Sequence, residues 1–139
     1  SLNVSESEID NVSRFIIVVE TTEKWVKNIV GQIEKQIEVI KAFYHTDEET
    51  IYLENALFKI HSNLLFDEKQ IQNIIKESQS TIVTVSRDFF VISKSGRRSE
   101  IEELYEKFKP YGIMQFVRSG RISVSKQKME ISALLETFK

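Results

Sequence analysis

The sequence has few of the residues that mark whole classes of protein. Its 139 residues include no cysteine, one proline and four glycines. The lack of cysteine excludes disulfide bridges and thiolate metal sites, and it fits a reducing, cytoplasmic environment. No apolar run approaches the roughly 20 residues that a membrane-spanning helix needs. No signal peptide is visible either. The composition therefore indicates neither a disulfide scaffold nor a membrane protein.

Charge is also nearly balanced, with 19 basic and 21 acidic residues and a formal net charge of -2. That balance argues against a general surface for nucleic acid or for anionic membranes. The hydrophobic fraction of 41% is ordinary for a folded chain, and nine phenylalanines help to supply a core. The length suits one medium domain or two small ones.

The first half of the chain predicts the element order β-β-α-β. Leu2–Val4 predicts a short strand, and residues 14–19 predict a strand buried on both faces because they are dense in aromatic and β-branched residues. Threonines 21–22 can cap an amphipathic helix over residues 23–37. Residues 39–44 predict another strand, and the polar residues 45–50 a linker. The apolar stripe of the helix consists of Trp25, Ile29, Ile33 and Ile37, and Trp25 is expected in the core or in a domain interface.

The second half predicts the order β-α-β-β-α-β, which is the ferredoxin-like arrangement. Residues 86–88 between the second and third strands resemble a nucleophile cluster in composition, but they have no base nearby and predict a hairpin turn. The second helix has a capping pair, Ser99 and Glu102, and ends before Pro110. The predicted strands are residues 53–60, 81–85, 89–93 and 113–117. The apolar face of the first helix consists of Ile71, Ile74 and Ile75. That of the second helix consists of Ile101, Leu104, Tyr105 and Phe108.

The two halves coincide when one is shifted on the other by about 75 residues. In this alignment the first half lacks an opening strand and helix, so roughly 25 to 35 residues are expected before Ser1. The fold class is therefore predicted as α+β, with two ferredoxin-like units of which the first is incomplete at its N-terminus. A sheet without one of its strands exposes an apolar edge and face.

A compact basic turn, Arg118-Ser119-Gly120-Arg121, follows the last predicted strand. Most such turns are solvated loops in which a glycine such as Gly120 supplies a positive φ. Two guanidinium groups around a serine and a glycine can also bind an anion or a carboxylate. A third interpretation is a docking contact for a protein partner. All three remain open from the residues alone.

Several collinear segments resemble the small regulatory subunit of acetolactate synthase, also called acetohydroxyacid synthase. The resemblance runs from Ser1 to about Lys128. The segments that carry it are residues 1–5, Gln32 to Ile40, Glu54 to Ile60 and Phe116 to Ser125. Family members have an N-terminal ACT domain followed by a second ferredoxin-like domain. The resemblance thus implies a partial ACT domain over residues 1–47, a linker over 48–53 and a C-terminal domain over 54–139.

This resemblance implies a non-catalytic subunit with no catalytic residue, metal site or cofactor of its own. Thiamine diphosphate, magnesium and FAD are expected only on the catalytic large subunit, which condenses two 2-oxo acids. The small subunit would bind and activate that partner, form a homodimer and confer feedback inhibition by valine or a related branched-chain amino acid. Most effector contacts of the family fall upstream of Ser1, so the effector residues stay unassigned, with Ser1 to Val4 bordering the site at best. Arg118, Ser119, Gly120 and Arg121 are the candidates for docking on the partner.

Two other functions remain as alternatives. A stand-alone ACT-like sensor would bind an amino acid without a synthase, and an RNA-binding module would stack bases on Phe89, Phe90 and Phe116. The two histidines, His45 and His61, have no ligand partners at coordinating spacing and are interpreted as ordinary residues. The acidic residues 47–49 lack a calcium-loop pattern and are interpreted as a solvated linker.

Overall fold

The computed structural model describes residues 1–136 of the chain, which fold into two compact units. The first unit comprises Ser1–Ile51 together with residues from Ser123 onward, and the second comprises Tyr52–Ile122. The second unit begins close to the predicted domain start at residue 54. It ends at Ile122, and the residues from Ser123 onward group with the first unit. The domain bounds 1–47, 48–53 and 54–139 stay a prediction.

The first unit is built from a two-stranded sheet and one long helix. Strands β1 (Leu2–Glu6) and β2 (Ser13–Ile17) pair antiparallel, with Leu2 opposite Ile17 and Val4 opposite Phe15. Helix α1 (Glu23–Glu34) begins at Thr22, whose hydroxyl accepts a hydrogen bond from the Trp25 N–H as predicted. A single 3-10 turn (Asp47–Glu49) follows, and a short helix, α5 (Ile131–Glu136), lies near the end of the chain.

Three predictions for this unit are wrong. Strand β2 is not buried on both faces, because it pairs only with β1 among the described residues and Phe15 and Ile17 are more than half exposed. Of the two places predicted for Trp25, the core is wrong, since the side chain is 59% exposed, whereas a domain interface stays a prediction. No strand forms over 39–44: with no neighbouring strand to pair with, this segment returns to the helix end, where the Ala42 N–H donates to Glu34 Oε1 at 3.1 Å.

The second unit contains a complete ferredoxin-like sheet. The central strand β3 pairs antiparallel with β5 and with β6, and β4 pairs antiparallel with β5, which gives the order β4-β5-β3-β6. The predicted βαββαβ sequence of elements is confirmed, as is the α+β fold class. The elements are β3 (Thr50–His61), α2 (Ser62–Asp67), α3 (Lys69–Glu77), β4 (Thr81–Val85), β5 (Phe89–Gly96), α4 (Arg98–Phe108) and β6 (Gln115–Arg118). Strand β7 (Ile122–Ser125) begins at the last residue of this unit and pairs with β3.

The core of this unit lies between the helices and one face of the sheet. Alternate residues of β3 point into it, as strand geometry requires. Helix α4 supplies its predicted face, and the ring of Phe108 lies 5.5 Å from that of Phe58. Burial of these side chains is the main term that stabilises the unit. The fully buried large residues are Phe58, Ile60, Ile71, Phe90, Ile92, Ile101, Leu104 and Phe108.

Three local features differ from the sequence prediction. The linker expected over 48–53 is occupied by the end of the 3-10 turn and the start of β3. The cap of helix α4 lies two residues earlier than the predicted pair of Ser99 and Glu102. The Arg97 N–H donates to Glu100 Oε2 at 3.0 Å, and Ser99 already lies within the helix. The terminal helix predicted over 129–138 is described from Ile131 to Glu136, and its residue Phe138 lies outside the described residues.

Candidate functional site

The basic turn Arg118–Arg121 joins the end of β6 to the start of β7 and is bound firmly to β3. The Ser119 N–H donates to the Asn55 carbonyl oxygen, and the Asn55 N–H donates to Ser119 Oγ, both at 2.8 Å. Ser119 Oγ in turn donates to the Gly120 carbonyl oxygen at 2.9 Å. Because Ser119 is tied to the neighbouring strand through backbone and side chain, the turn is a fixed part of the sheet edge rather than a loose loop.

Gly120 does not have the positive φ that the sequence predicted for it. Among the described glycines, the one with a positive φ is Gly112, at 86°, after the 3-10 turn that ends α4. Gly112 therefore ends the helical segment after α4, since a positive φ at a helix end favours glycine.

Arg118 forms ion pairs with two glutamates and neutralises the buried one, Glu54. Its Nε lies 3.6 Å from Glu54 Oε2, and its Nη1 lies 3.6 Å from Glu102 Oε1. The Glu54 side chain is 8% exposed, and its Oε2 has no hydrogen-bond partner. A charge in that position requires a counterion, because removing an ionised carboxylate from water is costly. Arg98 Nε extends the network by contacting Glu102 at 3.2 Å.

Arg121 lies on the other side of the turn, over an aromatic ring. Its guanidinium carbon is 3.9 Å from the centroid of the Tyr52 ring, and that of Arg97 is 4.9 Å from the same centroid. Each is within the range of a cation–π interaction, which is worth about 0.5–1 kcal/mol at an exposed site. The structure thus gives the two arginines of the turn different surroundings: carboxylates for Arg118 and an aromatic ring for Arg121.

The contacts of Arg118 and Arg121 limit which ligands the turn can bind. An anion clamp would need both guanidinium groups to face the same ligand, but Arg118 is already held by two carboxylates. The arrangement instead presents a rigid basic edge, of which Arg121 and Ser119 are partly accessible. Docking by Arg118, Ser119, Gly120 and Arg121 stays a prediction. Arg118 also has a structural role, because it forms ion pairs with Glu54 and Glu102.

Sequence reasoning identified the turn but missed the residues that hold it. Tyr52, Glu54, Asn55, Arg97 and Glu102 were not predicted as its partners. One signal was present for Glu54, which shares the strand face of Ala56 and Phe58 and so places a carboxylate at an inward position. A charge among core positions implies a nearby partner of opposite sign. The identity of that partner, 64 residues away, depended on how β6 pairs with β3.

The sheet does not present the three phenylalanines that base stacking would need. Phe90 is fully buried beneath the helices, and Phe116 packs between Phe58 and Tyr105, with ring centroids 4.9 and 5.0 Å away. On the open face, Phe89 lies under the Lys59 ammonium at 4.3 Å. The structural support for an RNA-binding surface is therefore reduced to a single ring.

The acidic segment before β3 caps its own 3-10 turn. Glu49 Oε1 accepts hydrogen bonds from the hydroxyl of Thr46 at 2.9 Å and from its N–H at 3.3 Å. These bonds, the hydroxyl bond first, lower the pKa of the Glu49 carboxyl below its ordinary value of 4.5, and His45 adds to the effect. His45 Nδ1 lies 3.6 Å from Glu49 Oε2. Across residues 1–136, no three histidine or acidic side chains are grouped as a metal site would require.

The hairpin predicted over 86–88 is confirmed. The Ser86 N–H and hydroxyl both donate to the Phe89 carbonyl oxygen, at 2.8 and 3.0 Å. Because the hydroxyl is committed to closing the turn, Ser86 is a structural residue.

None of the helices in the described part of the chain has the length and apolar character to cross a bilayer.

Comparison with known proteins shows where this architecture recurs. The family model described as the small subunit of acetolactate synthase matches residues 53–127, which is more than half of the chain and contains the basic turn. The acetolactate synthase small subunit of Bacillus subtilis is 36% identical over 121 residues, covering 86% of this chain and 70% of that protein. The probable acetolactate synthase small subunit of Archaeoglobus fulgidus is 32% identical over 126 residues, covering 89% and 77%.

A solved structure extends the likeness to the fold. The crystal structure of the acetolactate synthase small subunit from Thermotoga maritima matches with a TM-score of 0.81 at 26% sequence identity. The match covers 93% of this chain and 80% of that one, so it includes both compact units.

Proposed function

Because the chain belongs to the family of acetolactate synthase small subunits, we propose that it is the regulatory subunit that binds and activates the catalytic subunit of that enzyme. We also propose that it confers feedback inhibition by a branched-chain amino acid such as valine. The observation that carries the proposal is the family match over residues 53–127, which spans nearly all of the compact second unit. The names of the Bacillus subtilis and Thermotoga maritima relatives support it.

In this proposal the chain itself performs no chemical step. Thiamine diphosphate, magnesium and FAD belong to the catalytic large subunit, where two 2-oxo acids are condensed. The small subunit forms a homodimer, and the amino acid binds between its protomers. Feedback is then a coupling free energy: the effector favours one packing of the subunits, and that packing activates the catalytic partner less.

The second unit supplies the surface for the partner through the basic turn. Arg118 fixes the turn by its ion pairs to Glu54 and Glu102, and Arg121, which packs on Tyr52, contacts the catalytic subunit. The hydrogen bonds between Ser119 and Asn55 keep the turn in one conformation, so little entropy is lost when it docks. A rigid guanidinium surface suits a carboxylate-bearing partner segment, because such bonds are charge-assisted.

The test is to titrate the chain into a purified acetolactate synthase catalytic subunit and to measure the rate of acetolactate formation. We expect the rate to rise and saturate, and valine to lower the activated rate. Arg121→Ala should shift the titration to higher concentration, whereas Arg97→Ala should not. Arg97 is the matched control because it contacts the same Tyr52 ring but lies outside the turn.

Two outcomes would contradict this function. An unchanged synthase rate at saturating chain would overturn activation, and amino-acid binding without activation would favour the stand-alone sensor. Equal loss in the Arg121→Ala and Arg97→Ala variants would assign the effect to the packing around Tyr52 rather than to docking.

A further inference from the structure

Strand β6, which leads into the basic turn, has one side that no other strand covers in the part of the chain that the structure describes. Its inner side pairs with β3, and the Ser119 N–H that follows it donates to the Asn55 carbonyl oxygen at 2.8 Å. Backbone groups of an antiparallel strand point alternately to its two sides. Those of Val117 therefore face β3, as those of Ser119 do, and those of Phe116 and Arg118 face outward. Two N–H groups and two carbonyl groups thus point away from the sheet at this edge.

A groove between β6 and helix α4 lies beside the same edge. It holds about 660 Å³, and its apolar wall consists of the partly exposed rings of Tyr105 and Phe116, whose centroids are 5.0 Å apart. A free strand edge next to such a groove is the geometry in which protein domains bind an extended peptide. The backbone of the peptide pairs with the strand, and every second side chain enters the groove. On the opposite face of the sheet, the remaining side chains meet Val117, which is 51% exposed.

Charge differs between the two ends of this groove. Two of the three glutamates that line it are already paired, Glu102 with Arg118 and Glu103 with Lys107, both at 3.6 Å. The third, Glu106, forms no ion pair within the described part of the chain. It lies one helical turn beyond Glu102, toward the end of α4, which is followed shortly by the start of β6. The groove is therefore basic where β6 ends at the turn and acidic where β6 begins.

We propose that an extended segment of the catalytic subunit adds to β6 as an antiparallel strand, with an acidic residue at the basic turn, an apolar side chain in the groove and a basic residue beside Glu106. This inference rests on the proposed function and names the form and the charge pattern of the partner segment. An antiparallel strand runs opposite to β6, so its N-terminal end lies at the turn. The order along the segment is therefore acidic, apolar, basic. A segment that carried the reverse order would meet a like charge at each end, which is unfavourable.

Continuity with the basic turn selects the catalytic subunit as the occupant, because the free edge runs directly into the residues that dock on it in the proposed function. A second copy of the chain fits less well. If two β6 strands paired antiparallel, the turn of one copy would lie against the residues that precede Gln115 in the other. Ile113 and Met114 are uncharged and offer the turn no carboxylate.

Hydrogen exchange of the full chain, alone and bound to the purified catalytic subunit, tests the added strand residue by residue. Exchange is quenched and read by mass spectrometry with fragmentation to single amides. In the free chain, the Val117 amide should exchange slowly and those of Phe116 and Arg118 fast, because only the first is bonded to β3. In the complex, we expect the Phe116 and Arg118 amides to slow by about tenfold or more, since each gains a hydrogen bond. The amides of β4, on the opposite edge of the sheet, are the control and should not slow.

Charge reversal gives an independent measurement. Glu106→Lys places a like charge beside the basic residue of the segment, and it should raise the concentration of chain that half-activates the synthase by on the order of tenfold. Glu77→Lys is the matched control, since Glu77 is an exposed glutamate at the end of helix α3 that does not line the groove. Circular dichroism checks that both variants fold.

The possible outcomes separate this inference from the function on which it rests. If the complex forms and the synthase is activated while the Phe116 and Arg118 amides still exchange fast, the added strand is wrong and the proposed function stands. Equal titrations for Glu106→Lys and Glu77→Lys would overturn the charge pattern of the segment. Slow exchange of the two amides in the free chain, increasing with its concentration, would assign the edge to a second copy instead. A chain that forms no complex with the catalytic subunit overturns both proposals.

Discussion

The ion pair between Arg118 and Glu54 gives the sharpest prediction for stability. Replacing Arg118 with methionine keeps most of the aliphatic stem but removes the charge, which leaves the Glu54 carboxylate buried without its counterion. Breaking a fully buried pair in this way costs about 3–5 kcal/mol. The Arg118 side chain is 27% exposed and Glu54 is 8% exposed, so water can partly replace the lost charge. We therefore expect a loss of about 2–3 kcal/mol in the free energy of unfolding of the second unit.

A double-mutant cycle separates the pair from the packing. Glu54→Gln in the Arg118→Met background removes the buried charge, so the double variant should be more stable than Arg118→Met by about 1 kcal/mol or more. Arg98→Met is the matched control. Arg98 also pairs with a glutamate, but its side chain is 60% exposed, and such pairs are worth about 0–1 kcal/mol.

Amide hydrogen exchange along β3 is the appropriate assay. The single tryptophan, Trp25, lies in the first unit and does not report on the second. The exchange rates of the most protected β3 amides give the free energy of opening of the second unit. If Arg118→Met lowers that free energy no more than Arg98→Met does, the buried carboxylate is not held by Arg118, and the structural task assigned to this residue is wrong.

Three further predictions follow from single sites. Phe108→Ala should destabilise the second unit by about 3–5 kcal/mol in denaturant titration because it opens a cavity against Phe58, and a cost below about 1 kcal/mol would contradict this packing. Gly112→Ala should lower the free energy of unfolding by about 1–2 kcal/mol in the same assay. The loss comes from backbone strain alone, since φ is 86° and a Cβ would meet no atom within 4 Å. An unchanged denaturation midpoint would exclude that strain. The Glu49 carboxyl should titrate below its usual pKa when followed by NMR, so it stabilises the turn above pH 4.5 and this stabilisation is lost as pH falls through the lowered pKa. Thr46→Val removes the hydroxyl bond and should return the pKa toward its ordinary value. An unshifted titration of Glu49 in the wild type would refute the cap.

The second unit could be predicted well from sequence because its signals are local and agree with one another. The strands over 81–85 and 89–96 are separated by a three-residue turn, and the apolar face of α4 recurs at helical spacing. The resemblance of residues 54–60 and 116–125 to the small-subunit family was likewise visible without a structure, and the family match over 53–127 confirms it.

The first unit shows where the same reasoning failed. The apolar runs over 14–19 and 39–44 predict strands, but a strand is buried only when neighbours pair with it and a second layer covers it. In this structure β2 has only β1 beside it among the described residues, so its apolar side chains are exposed, and residues 39–44 form no strand. Trp25 is exposed for the same reason, because helical spacing predicts an apolar face but not what covers it.

By itself, the sequence determined the α+β class, the βαββαβ order of the second unit, the family and the position of the basic turn. These depend on local periodicity, turn residues and collinear motifs, which are properties of the chain. Only the tertiary structure decided that Arg118 neutralises Glu54 and that Arg121 packs on Tyr52. Those facts depend on which strands become neighbours, because strand pairing brings residues together that lie far apart in the sequence.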